Sequence, residues 1–175
     1  MSNKKFDAFV NEQISQKQQA EQKINWEKRR EEWLSHVQIF FNQVQEFLHD
    51  YVSKGQIEIV FNTIKINEEY LGEYEVQKAS IFIGKNQIVL EPVGTLIIAA
   101  WGRIDMKGAY GTVKFILIDK DISSWQQMTQ DNQFTTQRSQ QYPELVWKIS
   151  TPPPIKYQAL TQESFLECLM AVTNG

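Results

Sequence analysis

The residues best able to bind a metal ion are two histidines on one predicted helix. His36 and His49 are the two histidines of the 175-residue chain. On a straight helix their separation turns the two side chains about 140° apart, too far to share one ion. Glu46 and His49 match half of a di-iron carboxylate site, but the second Glu–His pair that such a site needs is absent. We therefore expect no metal site and no cofactor.

The sequence lacks the familiar motifs of nucleophilic catalysis and phosphate binding. Cys168, the single cysteine, follows Phe165 by three residues and precedes Leu169 in the predicted last helix, which favours a small buried thiol. No Gly-x-Ser-x-Gly elbow is present. Gly84-Lys85 lacks the other residues of a phosphate-binding loop. We expect no catalytic residue, which favours a protein without enzymatic activity but leaves that question open.

Charged residues interrupt one apolar strand near the middle of the chain. Arg103 and Asp105 are two positions apart, so they share a face of the strand. With Glu91 and Lys114 on neighbouring strands they would form cross-strand ion pairs, each of which adds little stability. The alternative is a patch that binds a ligand or a partner. Its candidate residues are Trp101, Arg103, Asp105, Tyr110 and Lys114.

These charges lie within a predicted run of four antiparallel strands over residues 78–120. The apolar segments of this run are separated by three short turn sequences at residues 84–87, 92–94 and 108–111. Short connections of this kind join antiparallel neighbours, because a parallel crossover needs many more residues. Residues 95–106 are predicted as the longest strand.

The last hairpin of this run has a predicted register. A turn centred on residues 108–109 pairs Ile104 with Val113 and, further along, Gly102 with Phe115. The face of Ile104 and Gly102 is then apolar and should cover the core. The opposite face is polar near the turn and apolar at its far end, which predicts partial cover there. A slip of one residue would exchange the two faces.

Helical patterns flank the strands on both sides. Residues 26–52 repeat apolar side chains at spacings of three and four, as in a helix that covers a sheet. The predicted stripe comprises Trp33, Val37, Phe40, Val44, Phe47 and Tyr51. Asn25 is placed to cap this helix, and the charge run 27–32 is interpreted as a solvated face. A final helix after Thr161 has a predicted buried stripe of Phe165, Leu166, Leu169 and Met170.

The N-terminal segment carries a narrower apolar pattern. Phe6, Val10 and Ile14 form one line on a helix that is otherwise rich in Gln, Glu and Lys. We interpret this segment as an exposed helical arm, with a partner-binding helix as the alternative. We therefore divide the chain into a helical or flexible arm over residues 1–24 and a single α+β domain over residues 25–175.

The fold class follows from these elements. Further strands are predicted at residues 56–61, 70–76 and 145–149. Residues 121–144 are polar and lack periodicity, and we expect them to be the most mobile internal segment. The predicted fold is α+β: an antiparallel meander sheet of about five to seven strands, with a long N-terminal helix packed on one face and a C-terminal helix.

Composition limits the classes of function. The net charge of −3 argues against a nucleic-acid partner, whose binding needs a basic surface. No apolar run is long enough for a membrane span, and the N-terminus has no apolar secretory region. With one cysteine, these features favour a cytoplasmic protein.

Two hypotheses for function remain. The first is a non-enzymatic, soluble, intracellular protein-interaction factor of accessory, chaperone-like or immunity type, whose partner is another protein; a homodimer is also possible. The alternative is a small-molecule-binding protein or enzyme whose pocket lies between the long helix and a curved sheet and uses Trp101, Arg103 and Asp105. A deep closed pocket would favour the alternative, and a flat polar face would favour the first.

Overall fold

The structure, a computed structural model, describes residues 3–22, 25–95, 100–125 and 144–174. Its helices are α1 (Asn3–Gln22), α2 (Trp26–Ser53) and α3 (Gln162–Asn174). Its strands are β1 (Ile57–Glu68), β2 (Gly72–Ile83), β3 (Asn86–Gly94), β4 (Gly102–Gly108), β5 (Gly111–Asp119), β6 (Leu145–Ser150) and β7 (Tyr157–Ala159). The Asn25 side chain accepts a hydrogen bond from the Lys28 N–H (3.0 Å), which confirms the predicted cap of α2.

The described strands form one antiparallel sheet in chain order from β1 to β7. Each strand pairs with the next, so the sheet is a meander. The α+β fold with a helix before and a helix after an antiparallel sheet is confirmed. β1 and β2 form its longest ribbon, in unbroken register from Ile57 opposite Ile83 to Glu68 opposite Gly72.

The β1–β2 ribbon changes the face that it turns towards the core. Phe61 packs on the core from one face of β1, whereas Ile64 and Ile66 pack on it from the other. No bulge separates them, so the ribbon must twist along its length. Its far end reaches the start of α2, where Arg30 donates a hydrogen bond to the Leu71 carbonyl (3.2 Å).

α2 packs on the sheet with a broad apolar side. Its buried residues are Trp33, Val37, Phe40, Phe41, Val44 and Leu48. Gly102 of β4 lies directly below Trp33, because a Cβ atom there would be 2.1 Å from the indole ring. The predicted stripe is confirmed except at its end. Tyr51 is exposed, as are the other residues of the last turn of α2.

α3 covers the other end of the same sheet face. Thr161 caps the helix as predicted, since its Oγ1 accepts a hydrogen bond from the Ser164 N–H (3.1 Å). Phe165, Leu169 and Val172 are buried. The backbone of α3 comes so close to Gly108 that a Cβ atom there would be 2.3 Å from the Val172 carbonyl oxygen. The prediction of a buried Met170 is wrong, because Val172 and not Met170 is on the side that faces the sheet.

Two predicted boundaries in the meander are wrong. Residues 92–94 are the end of β3 and not a turn, and the pairing with β4 shifts between Pro92 and Gly94. An irregular strand end accommodates proline, which has no N–H for the ladder. The predicted strand 95–106 is also too long at its start, because β4 begins at Gly102; residues 96–99 lie outside the described ranges.

The predicted register of β4 and β5 is shifted by two residues. Ile104 pairs with Phe115 and Gly102 with Leu117, since the turn comprises residues 109–110. A shift of two keeps every side chain on its face, because strand residues alternate with a period of two. The prediction of an apolar core face is therefore confirmed although its pairs are wrong.

A second small core covers the apolar end of the opposite sheet face. It contains Ile116, Ile118, Ile122 and Tyr157. Lys148 holds the segment after β5 in place, since its Nζ donates hydrogen bonds to the carbonyls of Lys120 (2.6 Å) and Ile122 (2.7 Å). The predicted half-covered face is confirmed. Most of the segment predicted as mobile, residues 126–143, lies outside the described part, so that expectation stays a prediction.

α1 exposes most of its apolar side. Phe6 is 65 % exposed, Phe9 55 % and Ile14 49 %, and the two phenylalanine rings lie 6.4 Å apart. Among the described residues, no helix combines the length and the apolarity that crossing a membrane requires.

Candidate functional site

The five predicted site residues do not form one site. Arg103 and Asp105 are on the sheet face opposite α2, because they alternate with the core-facing residues of β4. Lys114 is opposite Asp105 on β5 and is exposed. Trp101 lies beside α2, and Tyr110 is exposed in the β4–β5 turn. The structure therefore brings together Arg103, Asp105 and, as an exposed neighbour, Lys114.

Arg103 and Asp105 form an ion pair that is largely shielded from water. Nη2 of Arg103 donates a hydrogen bond to Oδ2 of Asp105 (3.2 Å), and Nε lies 2.8 Å from Oδ1. The Nε N–H does not point at Oδ1, and neither buried atom has a hydrogen-bond partner among the described residues. Asp105 as a whole is 6 % exposed. Glu91 pairs instead with Lys107, at 3.0 Å.

This ion pair lines an open depression of about 580 Å³ on the sheet face away from α2. Residues 64–66 of β1, residues 91–93 of β3 and residues 103, 105 and 107 of β4 form its walls. A second depression of about 310 Å³ lies between α2 and the β1–β2 ribbon. It includes none of Trp101, Arg103 and Asp105, which the small-molecule hypothesis placed in a pocket at that position.

An aromatic–arginine cluster lies at the start of α2 and comprises Trp26, Arg29, Tyr70 and Trp101. The Arg29 guanidinium is 4.9 Å from the ring centre of Trp101 and 5.5 Å from that of Trp26. The rings of Trp26 and Tyr70 stack at 4.8 Å. Burial lowers the pKa of Arg29, against the opposing effect of the Glu68 charge. Cation–π contacts of this kind hold a guanidinium in one orientation.

A buried hydrogen-bond network lies beneath this cluster and comprises Trp33, Glu68, Tyr74 and Thr95. Trp33 donates to the Tyr74 hydroxyl (2.9 Å), which in turn donates to Oε1 of Glu68 (2.5 Å). Oε2 of Glu68 accepts from the N–H (3.0 Å) and the hydroxyl (2.8 Å) of Thr95. Burial, followed by the hydrogen bond to Glu68, raises the pKa of Tyr74. The network joins α2, the ribbon and the end of β3.

Sequence reasoning missed both the cluster and the network. The interpretation of residues 27–32 as a solvated face is wrong for Arg29 and Arg30, which are half-buried and contact distant side chains and backbone. Arg30 bonds to Leu71 and Arg29 contacts Trp101, both distant in the chain, so no local pattern marks these contacts. The signal that could have predicted the burial of Glu68 was strand alternation, which places Glu68 on the same face as Ile64 and Ile66.

The histidines make no metal centre with the described residues. Nδ1 of His36 donates to the Glu32 carbonyl one turn earlier (2.7 Å), and His49 is exposed. Within the described ranges, no group of three or more His, Cys, Asp and Glu side chains is arranged to hold a metal ion.

Cys168 should react slowly with thiol reagents in the folded protein. Burial, followed by the charge of Glu167, raises the pKa of its thiol to about 11. Because the thiolate is the nucleophile, alkylation by iodoacetamide near pH 8 should be on the order of a hundred times slower than that of free cysteine. Unfolding in guanidinium should restore the ordinary rate. A native rate within a few-fold of free cysteine would contradict this expectation.

Comparison of the chain with protein-family models, with curated proteins and with solved structures finds no match.

Proposed function

We propose that this protein is a non-enzymatic protein-interaction factor whose α1 binds an apolar groove of another protein. The observation that carries the proposal is the uncovered aromatic side of α1. Phe6, Phe9 and Ile14 lie on one helix and are each about half exposed or more. Amphipathic helices bind partner grooves through apolar anchors at spacings of three and four.

Helix energetics support this role for α1. Most helical stability in proteins comes from packing of the apolar side, and helices without such packing are marginal in water. α1 is a 20-residue helix whose side chains are exposed at nearly all described positions. A partner that covers Phe6 and Phe9 would supply the missing packing.

The aromatic–arginine cluster at the start of α2 has a composition typical of protein–protein interfaces. Trp, Tyr and Arg are the residues most enriched where interfaces contribute most binding energy. Trp26, Arg29, Tyr70 and Trp101 combine these types, and Tyr70 is more than half exposed. The proposal places the protein in the cytoplasm, since a single cysteine suits a reducing compartment.

The proposal is tested by affinity capture from lysate of the native host with a variant that changes Phe6→Ser and Phe9→Ser together. We expect the variant to capture at least tenfold less of each protein that the unchanged chain captures, because it lacks both aromatic anchors. The melting temperature should stay within a few degrees, since neither side chain belongs to the core.

The matched control is Ile39→Ser, which changes an exposed apolar residue (46 %) on α2. It should capture the same proteins as the unchanged chain. Equal capture by the unchanged chain and the double variant would contradict a role for α1. Equal loss in the Ile39 control would show that general surface apolarity, and not α1, explains the capture.

A further inference from the structure

We infer that the outer edge of β1 pairs with the same edge of a second copy of this chain, so that two sheets join into one. β1 is a terminal strand of the described sheet and pairs on one side alone, with β2. An edge strand has a row of N–H and C=O groups that can pair with another strand. This edge is separate from α1, so the inference does not depend on the proposed function.

β1 has few of the features that protect edge strands from pairing. Such features are short length, proline, lysine, bulges and cover by other segments. β1 is 12 residues long, contains no proline and runs beside β2 without a bulge. Its one lysine, Lys65, is in the second half of the strand. The strand at the opposite edge of the described sheet, β7, is three residues long and follows three prolines at residues 152–154.

The core side of β1 is incompletely covered. Ile57, Ile59 and Phe61 pack on the core but remain partly exposed. Ile81, which is opposite Ile59 on β2 and has a strand on each side, is fully buried. A further strand beside β1 would cover the outer sides of its three apolar residues, which the hydrophobic effect favours.

The first half of β1 is the part that can pair with itself. In antiparallel pairing, residues that are directly opposite each other share one face of the sheet. Because the ribbon exchanges its faces beyond Phe61, a register centred on Asn62 would place Ile59 opposite the exposed Lys65. Pairing of residues 57–63 with themselves instead sets the two apolar faces side by side. Both copies of α2 then lie on the same face of the joined sheet, since Phe61 packs against α2.

A register centred on Val60 gives complementary pairs. Val60 is 36 % exposed and would lie opposite Val60 of the second copy. Ile59 would be opposite Phe61, and Glu58 opposite Asn62, so no like charges are directly opposed. A register centred on Glu58 would set two carboxylates against each other. This self-complementary pattern favours a second copy of the chain over an unrelated strand.

The dimer should be weak. Seven residues from each copy form the pairing, fewer than the roughly 20–30 residues that each partner contributes to a stable interface. We therefore expect a dissociation constant in about the micromolar range or above, with affinity supplied mainly by the main-chain hydrogen bonds of the joined strands.

The test is sedimentation velocity of the full chain from about 1 µM to about 500 µM, over which the unchanged protein should shift from monomer to dimer. Val60→Lys should raise the dissociation constant at least tenfold, because it sets two lysines opposite each other. Its melting temperature at low concentration should stay within a few degrees, since Val60 is not a core residue. The matched control is Val93→Lys, an equally exposed valine (39 %) on β3, which has a strand on each side. It should change the dissociation constant by less than twofold.

An exchange of charges tests the register. Asn62→Glu puts a carboxylate opposite Glu58 of the second copy at two symmetric positions, and it should weaken the dimer at least tenfold. Addition of Glu58→Lys turns both contacts into pairs of opposite charge and should restore the dissociation constant to within a few-fold. Addition of Glu69→Lys gives the same net charge but changes the exposed β1–β2 turn, so it should not restore the dimer.

Four outcomes would overturn the inference or its register. A chain that stays monomeric over the whole range, or a dimer that Val60→Lys leaves intact, would overturn self-pairing of β1. Loss of the dimer in the combined Phe6→Ser and Phe9→Ser change would assign the association to α1 instead. A monomeric chain that loses its captured proteins through Val60→Lys would assign the edge to a strand of another protein. A dimer that the exchange of charges does not restore would overturn the register centred on Val60.

Discussion

Truncation of Phe40 to alanine should lower the free energy of unfolding by about 3–5 kcal/mol. The ring is fully buried, and its centre lies 5.0 Å from that of Phe115 on β5 and 5.2 Å from that of Trp147 on β6. The substitution removes these contacts and leaves a cavity that rigid sheet residues cannot close. A loss of this size is a large fraction of the stability of an ordinary domain.

The measurement is chemical denaturation of the unchanged protein and the variant at two protein concentrations about a hundredfold apart. Ile39→Ala is the matched control, because Ile39 precedes Phe40 on α2 and is 46 % exposed; its effect should stay within about 0.5 kcal/mol. A change below about 1 kcal/mol for Phe40→Ala would show that this side of α2 is not core. A midpoint that rises with concentration would reveal that association contributes to stability.

Replacement of Glu68 by alanine should destabilise the fold by about 2–4 kcal/mol. The carboxylate accepts hydrogen bonds from Tyr74 and, twice, from Thr95, all within a buried region. Without it these donors stay buried and lose their acceptor, which costs more than the removal of an exposed ion pair. The substitution should also weaken the aromatic–arginine cluster, since the negative charge of Glu68 stabilises the charged form of Arg29.

Glu69→Ala is the matched control, because the adjacent carboxylate is exposed in the β1–β2 turn. It should change stability by no more than about 0.5 kcal/mol. A double-mutant cycle of Glu68→Ala with Tyr74→Phe should give a coupling energy of about 1 kcal/mol or more, since the two side chains share one hydrogen bond. Additive effects would mean that the network does not act as a unit.

The same network predicts a loss of stability at high pH. The folded protein raises the pKa of Tyr74, whereas the unfolded chain releases that proton near pH 10. The contribution of this hydroxyl is therefore complete below about pH 10 and falls as the pH rises further. Tyr74→Phe should remove that part of the fall, which denaturation at neutral and alkaline pH would measure.

Most of the fold could be predicted because its elements have local signatures. The apolar spacing of residues 26–52 predicted α2, and the Asn25 cap and Thr161 cap were both found where their side chains favour them. The meander followed from short turns, which leave antiparallel pairing as the available arrangement. The apolar and polar faces of β4 were predicted correctly although the predicted register was wrong, because an error of two residues leaves each side chain on its face.

The predicted site could not be assembled in the same way. Trp101 and Arg103 are two residues apart, but one reaches α2 while the other lines the depression on the opposite face. The strand that holds Arg103 begins at Gly102, so alternation does not carry back to Trp101. The lining residue Lys65 is far from β4 in sequence and reaches the depression only through the twist of the ribbon.

The sequence by itself determined the helices, most of the strands, their order and which faces are apolar, because helix and strand periods, caps and turns depend on neighbouring residues. Only the tertiary structure decided which distant side chains meet. It placed Gly102 below Trp33 and Gly108 below α3, where no other residue leaves room. It also buried Glu68 among donors from two other segments of the chain. These contacts depend on twist and on close packing between elements, and neither property is written in the spacing of residues along one segment.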